Sequence, residues 1–264
     1  MYKMIVTDLD GTLLNEAKKV SLKTKQYLKE LKNKGYIICL DTGRAIKRAT
    51  YAIDDPTFVN YIIANNGAYI YDTDNNKCLY KSIIKDETVK ELFLNYINDF
   101  NTFEINTDDY IYRYYLQNEP RYPYVKRITK KEDLIKNINN VYNMTIRFNS
   151  EEKANEFLEE LKNNYQDIYT FIMQDSFSNQ KWITLINKEV NKFNGIKILS
   201  NKLNIDNSEI IAFGDGLNDI EMLENVGCGV AMHDALENVK KVSKDITEFD
   251  NSNDGVIKYL KNII

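Results

Sequence analysis

Two textures of apolar and polar positions alternate along the chain. Short apolar runs at residues 4–6, 37–40 and 61–64 predict buried strands. Between the first two, from Ser21 to about residue 35, apolar residues recur at helical spacing. Ser21 can cap that helix, Leu28 and Leu31 share one face, and Gly35 can end it. The segment RAIKRATYAID predicts a second helix, and NYIIANNG a third strand with a turn at Asn66 and Gly67. Strand–helix–strand at this spacing predicts right-handed crossovers and a parallel sheet.

The texture then changes. AYIYDTDNNKCLYKSI predicts a hairpin. Beyond it, helical stretches (DETVKELFLNYIND, SEEKANEFLEELKNNY) mix with more alternating strands (NMTIRF, IYTFIM, KWITLI). That mixture predicts an α+β unit with an antiparallel sheet. The tyrosine-rich DDYIYRYYLQNEPRYPY shows no clean period. After Ile186 the first texture returns: a helix in VNKFNGIKILSNKLN, a buried strand in EIIAFGDG, a helix in NDIEMLENV, a short strand in GCGVAM, then helices in ALENVKKV and DGVIKYLKNII. The expected organisation is an α/β core over residues 1–81 and 185–264, interrupted by an α+β insert over 82–184.

Composition narrows the function classes. Of 264 residues, 43% are hydrophobic and 28% charged, as in an ordinary globular protein. Only 3 prolines and 10 glycines argue against long flexible linkers. The net charge of -4 supplies no basic field for nucleic acid, and no apolar stretch approaches a membrane span. Cys39, Cys78 and Cys228 are far apart and odd in number, and the N-terminus enters a strand without a signal-like segment. A reducing cytoplasm is therefore expected. With His233 the sole histidine, any metal should be hard and oxygen-ligated.

Candidate chemistry collects at strand ends. IVTDLDG and IIAFGDG finish alike, and IICLDTGR brings a hydroxyl and a glycine at Thr42 and Gly43. In a parallel sheet these ends lie on one edge, where open α/β folds bind ligands. Asp8, Asp10, Thr42, Asp215 and Asp219 can thus converge from distant parts of the sequence. Carboxylates held at a strand end can bind a metal and divide acid, base and nucleophile roles between them. Each also has a plainer reading. Asp and Gly suit turns, Asn218 can cap a helix, and an acid such as Asp219 is favoured in a helix first turn.

The ordered set DLDGTLL, DTGR, the lysine that ends WITLINKEVNK, and GDGLND resembles the four motifs of the haloacid dehalogenase superfamily. More narrowly, it resembles the Cof-type phosphatases, whose large cap is inserted between the second and third motifs. The likeness spans the chain, including NNGAYIYD and VAMHDALENVKKVSKDIT. It implies a Rossmann-like core with a mostly parallel sheet and an α+β cap. It implies Asp8 as nucleophile, forming an aspartyl-phosphate, and Asp10 as general acid and base. It implies Mg2+ held by the Asp8 carboxylate, the Asp10 main-chain carbonyl and Asp215, with Asp219 in or near the shell. Thr42 with the following amides of Gly43 and Arg44, Lys192 and Asn218 would hold phosphate oxygens.

The chain departs from the family pattern at Phe193, where Gly is frequent, and at His233-Asp234. Lys188 competes with Lys192 for the lysine role, His233 reads as a loop residue, and Arg48 as a helix-face charge. The resemblance implies a phosphatase for small phosphorylated metabolites, sugar phosphates first and phosphorylated cofactors next. No nucleic-acid or membrane partner is expected, and the chain is expected as a monomer or weak dimer. A hexose phosphomutase and a non-catalytic phosphometabolite-binding protein are the alternatives. Dehalogenation itself would need neither the metal acids nor an acid at Asp10. The insert, with Arg113, Arg121 and the tyrosines from Tyr110 to Tyr124, is expected to cover the site and set substrate preference.

Overall fold

The computed structural model describes residues 1–115, 122–174 and 181–264. The chain divides into two compact units, Met1–Lys81 with Val190–Ile264, and Ser82–Glu189.

In the first unit, β1 (Met4–Thr7), β2 (Ile37–Asp41) and β3 (Tyr61–Ala64) pair in parallel, and the hairpin of β4 (Tyr69–Asp72) and β5 (Lys77–Lys81) adds antiparallel strands at one edge. On the other side of β1 lie β12 (Ile210–Gly214), β13 (Cys228–Ala231) and β14 (Asp245–Ile246), all parallel. The order is therefore β14-β13-β12-β1-β2-β3-β4-β5. The strands β1 and β12 are buried throughout, which is why their sequences are apolar rather than alternating. Helix α1 (Leu22–Asn33) packs on β2 and on the last helix, α9 (Gly255–Ile263). The Ser21 side chain accepts from the Thr24 amide at 3.1 Å, and Gly35 follows the helix with φ +95°. A short helix, α2 (Ile46–Ile53), joins β2 to β3. Three more, α6 (Lys192–Leu203), α7 (Ile220–Asn225) and α8 (Glu237–Val242), pack side by side in another layer.

The second unit holds a six-stranded sheet in the order β10-β11-β9-β6-β7-β8. Its strands are β6 (Phe100–Asn106), β7 (Ile111–Tyr115), β8 (Val125–Ile128), β9 (Asn143–Phe148), β10 (Ile168–Gln174) and β11 (Lys181–Asn187). All pairings are antiparallel except β7 with β8. The helices α3 (Asp86–Asn95), α4 (Lys131–Ile135) and α5 (Glu151–Asn164) supply Val89, Leu92, Phe93, Leu134, Phe157 and Leu161 to its core. The sequence boundary drawn after residue 184 runs through β11, whose pairing with β9 and β10 keeps the whole strand in this unit. The tyrosine-rich segment, read as aperiodic, contains β7. There Tyr112 and Tyr114 pack on the core while Arg113 between them pairs with Glu104. Tyrosine is apolar along its ring and polar at its tip, so the alternation is flat in hydropathy though present in space. Arg121 lies outside the described residues.

Candidate active site

Asp8 follows β1 directly, and its amide still bonds the Phe213 carbonyl of β12 at 3.0 Å, so its backbone is held by the sheet. Its side chain is buried. Lys192, the first residue of α6, is wholly enclosed and donates from Nζ to Asp8 Oδ1 and to Asp219 Oδ1, each at 2.5 Å. The other Asp219 oxygen accepts from the amides of Asp215 and Gly216, both at 2.9 Å. Asp215 Oδ1 accepts from the Thr12 hydroxyl at 2.9 Å. One oxygen each from Asp8, Asp215 and Asp219 lie within 4.8 Å of one another.

Local sequence makes these approaches possible. Gly11 has φ +79°, and a Cβ there would stand 2.2 Å from Asp215 Oδ2, so only glycine lets the first loop close onto that acid. Gly67, at φ +104°, lies where a Cβ would meet the Asn191 carbonyl at 2.2 Å. The Asn66–Gly67 turn therefore rests directly on the start of α6. Asn191 caps that helix by accepting from the Asn194 amide at 2.7 Å, which fixes where Lys192 begins.

Asp10 is held differently. It is half-exposed, and its two oxygens take Nε and Nη2 of Arg44, both at 2.6 Å, with Lys18 at 3.7 Å. Arg44 thus reaches a carboxylate with its side chain, in a bidentate fork. Its amide donates to the Thr42 hydroxyl at 3.1 Å. Thr42 is buried, and its carbonyl accepts from the Asn66 amide at 3.0 Å. Gly43 sits against the Asn66 side chain, and Asn218, exposed, donates to Asn66 Oδ1 at 3.0 Å. Asn66 therefore links the loop after β2 to the loop after β12. Lys188 is exposed in the second unit, so Lys192 is the lysine beside Asp8. Arg48 is exposed on α2, and His233 is exposed in a turn with its amide on the Thr247 hydroxyl.

The electrostatics follow from burial and crowding. Burial pushes the Asp8 carboxyl up to about 7; Lys192 opposes this, and Asp219 and Asp215 add to it. Asp215 rises to about 6, again mainly from burial, with the Thr12 hydrogen bond opposing and Asp219 contributing. Asp10 goes the other way. Burial works to raise it, but the hydrogen bonds and charge of Arg44, with Lys18 and Arg48, outweigh that and hold it below its ordinary range. Lys192 is itself raised: the charges of Asp219, Asp8 and Asp41 overcome a desolvation that acts to lower it, so it is an ammonium.

Sequence reasoning missed three residues at this edge: Thr12, Asn66 and Asp41. Thr12 and Asn66 lay in quoted motifs, and the signal was their polarity inside loops that must approach other loops. Asp41 ends β2 with no solvent exposure, a charged residue type inside an apolar run, and that alone was the available signal.

The family description of haloacid dehalogenase-like hydrolases matches residues 5–260. The 5-amino-6-(5-phospho-D-ribitylamino)uracil phosphatase YitU of Bacillus subtilis (strain 168) is 29% identical over 275 residues, covering 98% of this chain and 96% of its own. The crystal structure of TM0651 from Thermotoga maritima superposes with a TM-score of 0.81 at 25% identity, over 100% of this chain and 98% of that one. The structure of BT4131, described as a HAD subclass IIB sugar phosphatase, gives 0.73 at 26% identity over 98% of each chain. Among the described residues, no helix is long and apolar enough to cross a membrane. The chain belongs to the haloacid dehalogenase-like hydrolases, with the Rossmann-like core and α+β insert that its ordered motifs imply.

Proposed function

We propose that this chain is a Mg2+-dependent phosphatase of small phosphorylated metabolites, acting through an aspartyl-phosphate on Asp8. The observation that carries this reading is the buried Lys192, 2.5 Å from Asp8 and from Asp219, with Asp215 in the same cluster. A lone ammonium among three acids leaves a net negative site that suits a hard divalent cation and a phosphoryl group together. The donor set fits: every candidate ligand is an oxygen, and the carboxyls of Asp8 and Asp215, raised mainly by burial and further by their acidic neighbours, are ones that a bound cation would favour in the charged form. In this reading the Asp8 carboxylate, the Asp10 carbonyl and Asp215 hold Mg2+. Asp219 supports from behind, because one oxygen is committed to Lys192 and the other to two amides. Bound there, Mg2+ would offset carboxylate repulsion and draw charge from the phosphoryl oxygens.

Asp8 attacks phosphorus, the bond to the leaving oxygen breaks, and Asp10 gives that oxygen its proton. Water then attacks the phosphorus. Asp10 takes a proton from it, and the bond between Asp8 and phosphorus breaks to return the carboxylate. Lys192, the amides after Thr42, and Asn218 stabilise the equatorial oxygens. Arg44 adds a control step in this reading. Its fork keeps Asp10 ionised, so an arriving anionic phosphoryl group must draw the guanidinium away before Asp10 can carry a proton. Relatives that act on a phosphorylated ribitylamino pyrimidine and on sugar phosphates support substrates with a phosphate on a sugar or polyol chain.

Phosphate release from a panel of such substrates, with Mg2+ and with chelator, tests the reading. Asp8→Asn, run in parallel, is expected to lose turnover while keeping its fold. Wild-type rates in that variant would sink the mechanism. Conversion of a hexose phosphate to its isomer without phosphate release would move the assignment to a mutase.

A further inference from the structure

The last residue of β2, Asp41, is a buried acid that the mechanism above does not use. Thr7 of β1 pairs in register with Leu40 of β2, so the next residues, Asp8 and Asp41, stand side by side on neighbouring strands. Asp41 has no solvent exposure, and neither of its carboxyl oxygens has a hydrogen-bond partner. Its other neighbour in register is Ile63 of β3, which lies against Gly195, one turn into α6 from Lys192. An enclosed, unpartnered carboxyl is costly, and an apolar residue would fit such a strand end without that cost. The charged groups that act on it are Lys192, Asp219 and Asp8. Burial, in the first place, pushes its carboxyl well above its ordinary range; Lys192 opposes that, and Asp219 and Asp8 reinforce it.

Lys192 is the complement of this arrangement. An ammonium has three N–H donors, and two of them are on Asp8 and Asp219. When Asp8 is engaged at phosphorus it can no longer balance the buried ammonium as it does in the resting enzyme. A carboxyl on the adjacent strand, enclosed and with both oxygens free, is placed to replace it.

We propose that Asp41 is a reserve acceptor for Lys192, a positioning residue that takes over the ammonium when Asp8 becomes engaged. The role in turnover rests on the reading of Asp8 as nucleophile; the pairing with Lys192 does not. The two are separated by measuring Tm and kinetics in one set of proteins, all without added metal for the melts. In an Asp8→Asn background, where Lys192 has lost its first partner, Asp41→Asn is expected to lower Tm. Asp41→Leu, of similar size and with no acceptor, is expected to lower it further. In the otherwise native chain the same substitutions relieve crowding among acids and leave Tm equal or higher. In kinetics, Asp41→Asn is expected to lower kcat about tenfold with KM unchanged, the pattern of an interaction made only after binding.

If both Asp41 substitutions leave Tm unchanged or raised in the Asp8→Asn background, the pairing is overturned, whatever the kinetics. A lowered Tm with unaltered kcat overturns the role in turnover. A lowered Tm in a chain that releases phosphate from no substrate upholds the pairing and overturns the phosphatase reading instead. A double variant too unstable to purify is replaced by Asp8→Asn with Asp41→Ser, whose smaller hydroxyl keeps an acceptor; the expected order of Tm is then Asp above Ser.

Discussion

In the inserted unit, the side chains without solvent contact are mostly aromatic and aliphatic. Phe93, Phe100 and Phe103 meet one another, and Phe148 meets Phe157, in tilted and edge-to-face pairs at centroid distances of 5.0 to 5.5 Å. Its one strongly buried cation among the described residues, Arg147, lies over Trp182 and donates to Asn101. At the carboxyl edge of the core sheet, Asp8, Asp41, Asp219 and Lys192 are buried together instead. One region is built of groups that water rejects, the other of groups that water would hold. The first needs no partner beyond itself. The second is a set of charges kept dry, and so made strong, at a cost in stability borne by the surrounding sheet.

The largest expected effect comes from removing the charge on which that second region depends. Lys192→Met leaves Asp8 and Asp219 facing each other in a dry site. Activity on the best substrate is expected to fall by about 10²–10³-fold, the usual loss for one fixed transition-state donor. Stability is expected to fall as well, by about 3–5 kcal/mol before protonation of the acids moderates it. A Lys192→Met enzyme with near-native kcat would end the comparison, since the buried charge would then be structural only.

A change of similar energy but opposite character is Phe103→Ala in the inserted unit. Phe103 is fully buried and touches Phe93 and Phe100. The substitution is expected to cost about 3–5 kcal/mol. Calorimetry of the two variants sharpens the contrast. If Phe103→Ala lowers one transition and Lys192→Met another, the two units unfold separately. If both shift a single transition, they unfold as one.

A smaller effect should appear as a pH dependence of the metal-free protein. Asp8 rises from 3.8 to about 7 and Asp215 from 3.8 to about 6 on folding. Between those limits the folded chain binds more protons than the unfolded one, so stability falls as pH rises. Melts in chelator are expected to give a Tm several degrees lower at pH 8 than at pH 5, and Mg2+ should restore more of it at pH 8. A Tm that rises over that range without metal would show that the acids are not buried and crowded as described.

Much of the core was legible because its strands are apolar runs and its acids sit at their ends. β1, β2 and β12 are buried throughout or nearly so, and Asp8, Asp10, Asp215 and Asp219 follow from the repeated strand-end pattern. Lys192 could be chosen over Lys188 only by its place at a helix start, because lysine is common and burial is a tertiary property. Arg44 was expected at phosphate through its backbone, and its fork on Asp10 depends on two loops meeting. Asp41 was passed over because a carboxylate at a strand end reads as the turn it precedes. In the insert, β6 and β7 escaped because tyrosine, threonine and asparagine blur the two-residue period, and β8, Val-Lys-Arg-Ile, is too short to show one. What sequence patterns miss here is contact between distant loops, which no local period encodes.

The smallest effect tests the comparison at its simplest. On α5, Lys153 and Glu156 form an ion pair at 2.6 Å, one turn apart and open to water. Lys192 and Asp8 are 2.5 Å apart, so the two contacts have nearly the same geometry. Distance alone would give them equal weight. Water around the first pair screens its attraction, and holding two flexible side chains together offsets most of the remainder. Lys153→Ala is therefore expected to leave Tm within the error of a thermal melt, in low salt and high. A shift approaching that of Lys192→Met would mean that proximity, and not exclusion of water, sets the worth of a lysine–carboxylate contact in this chain.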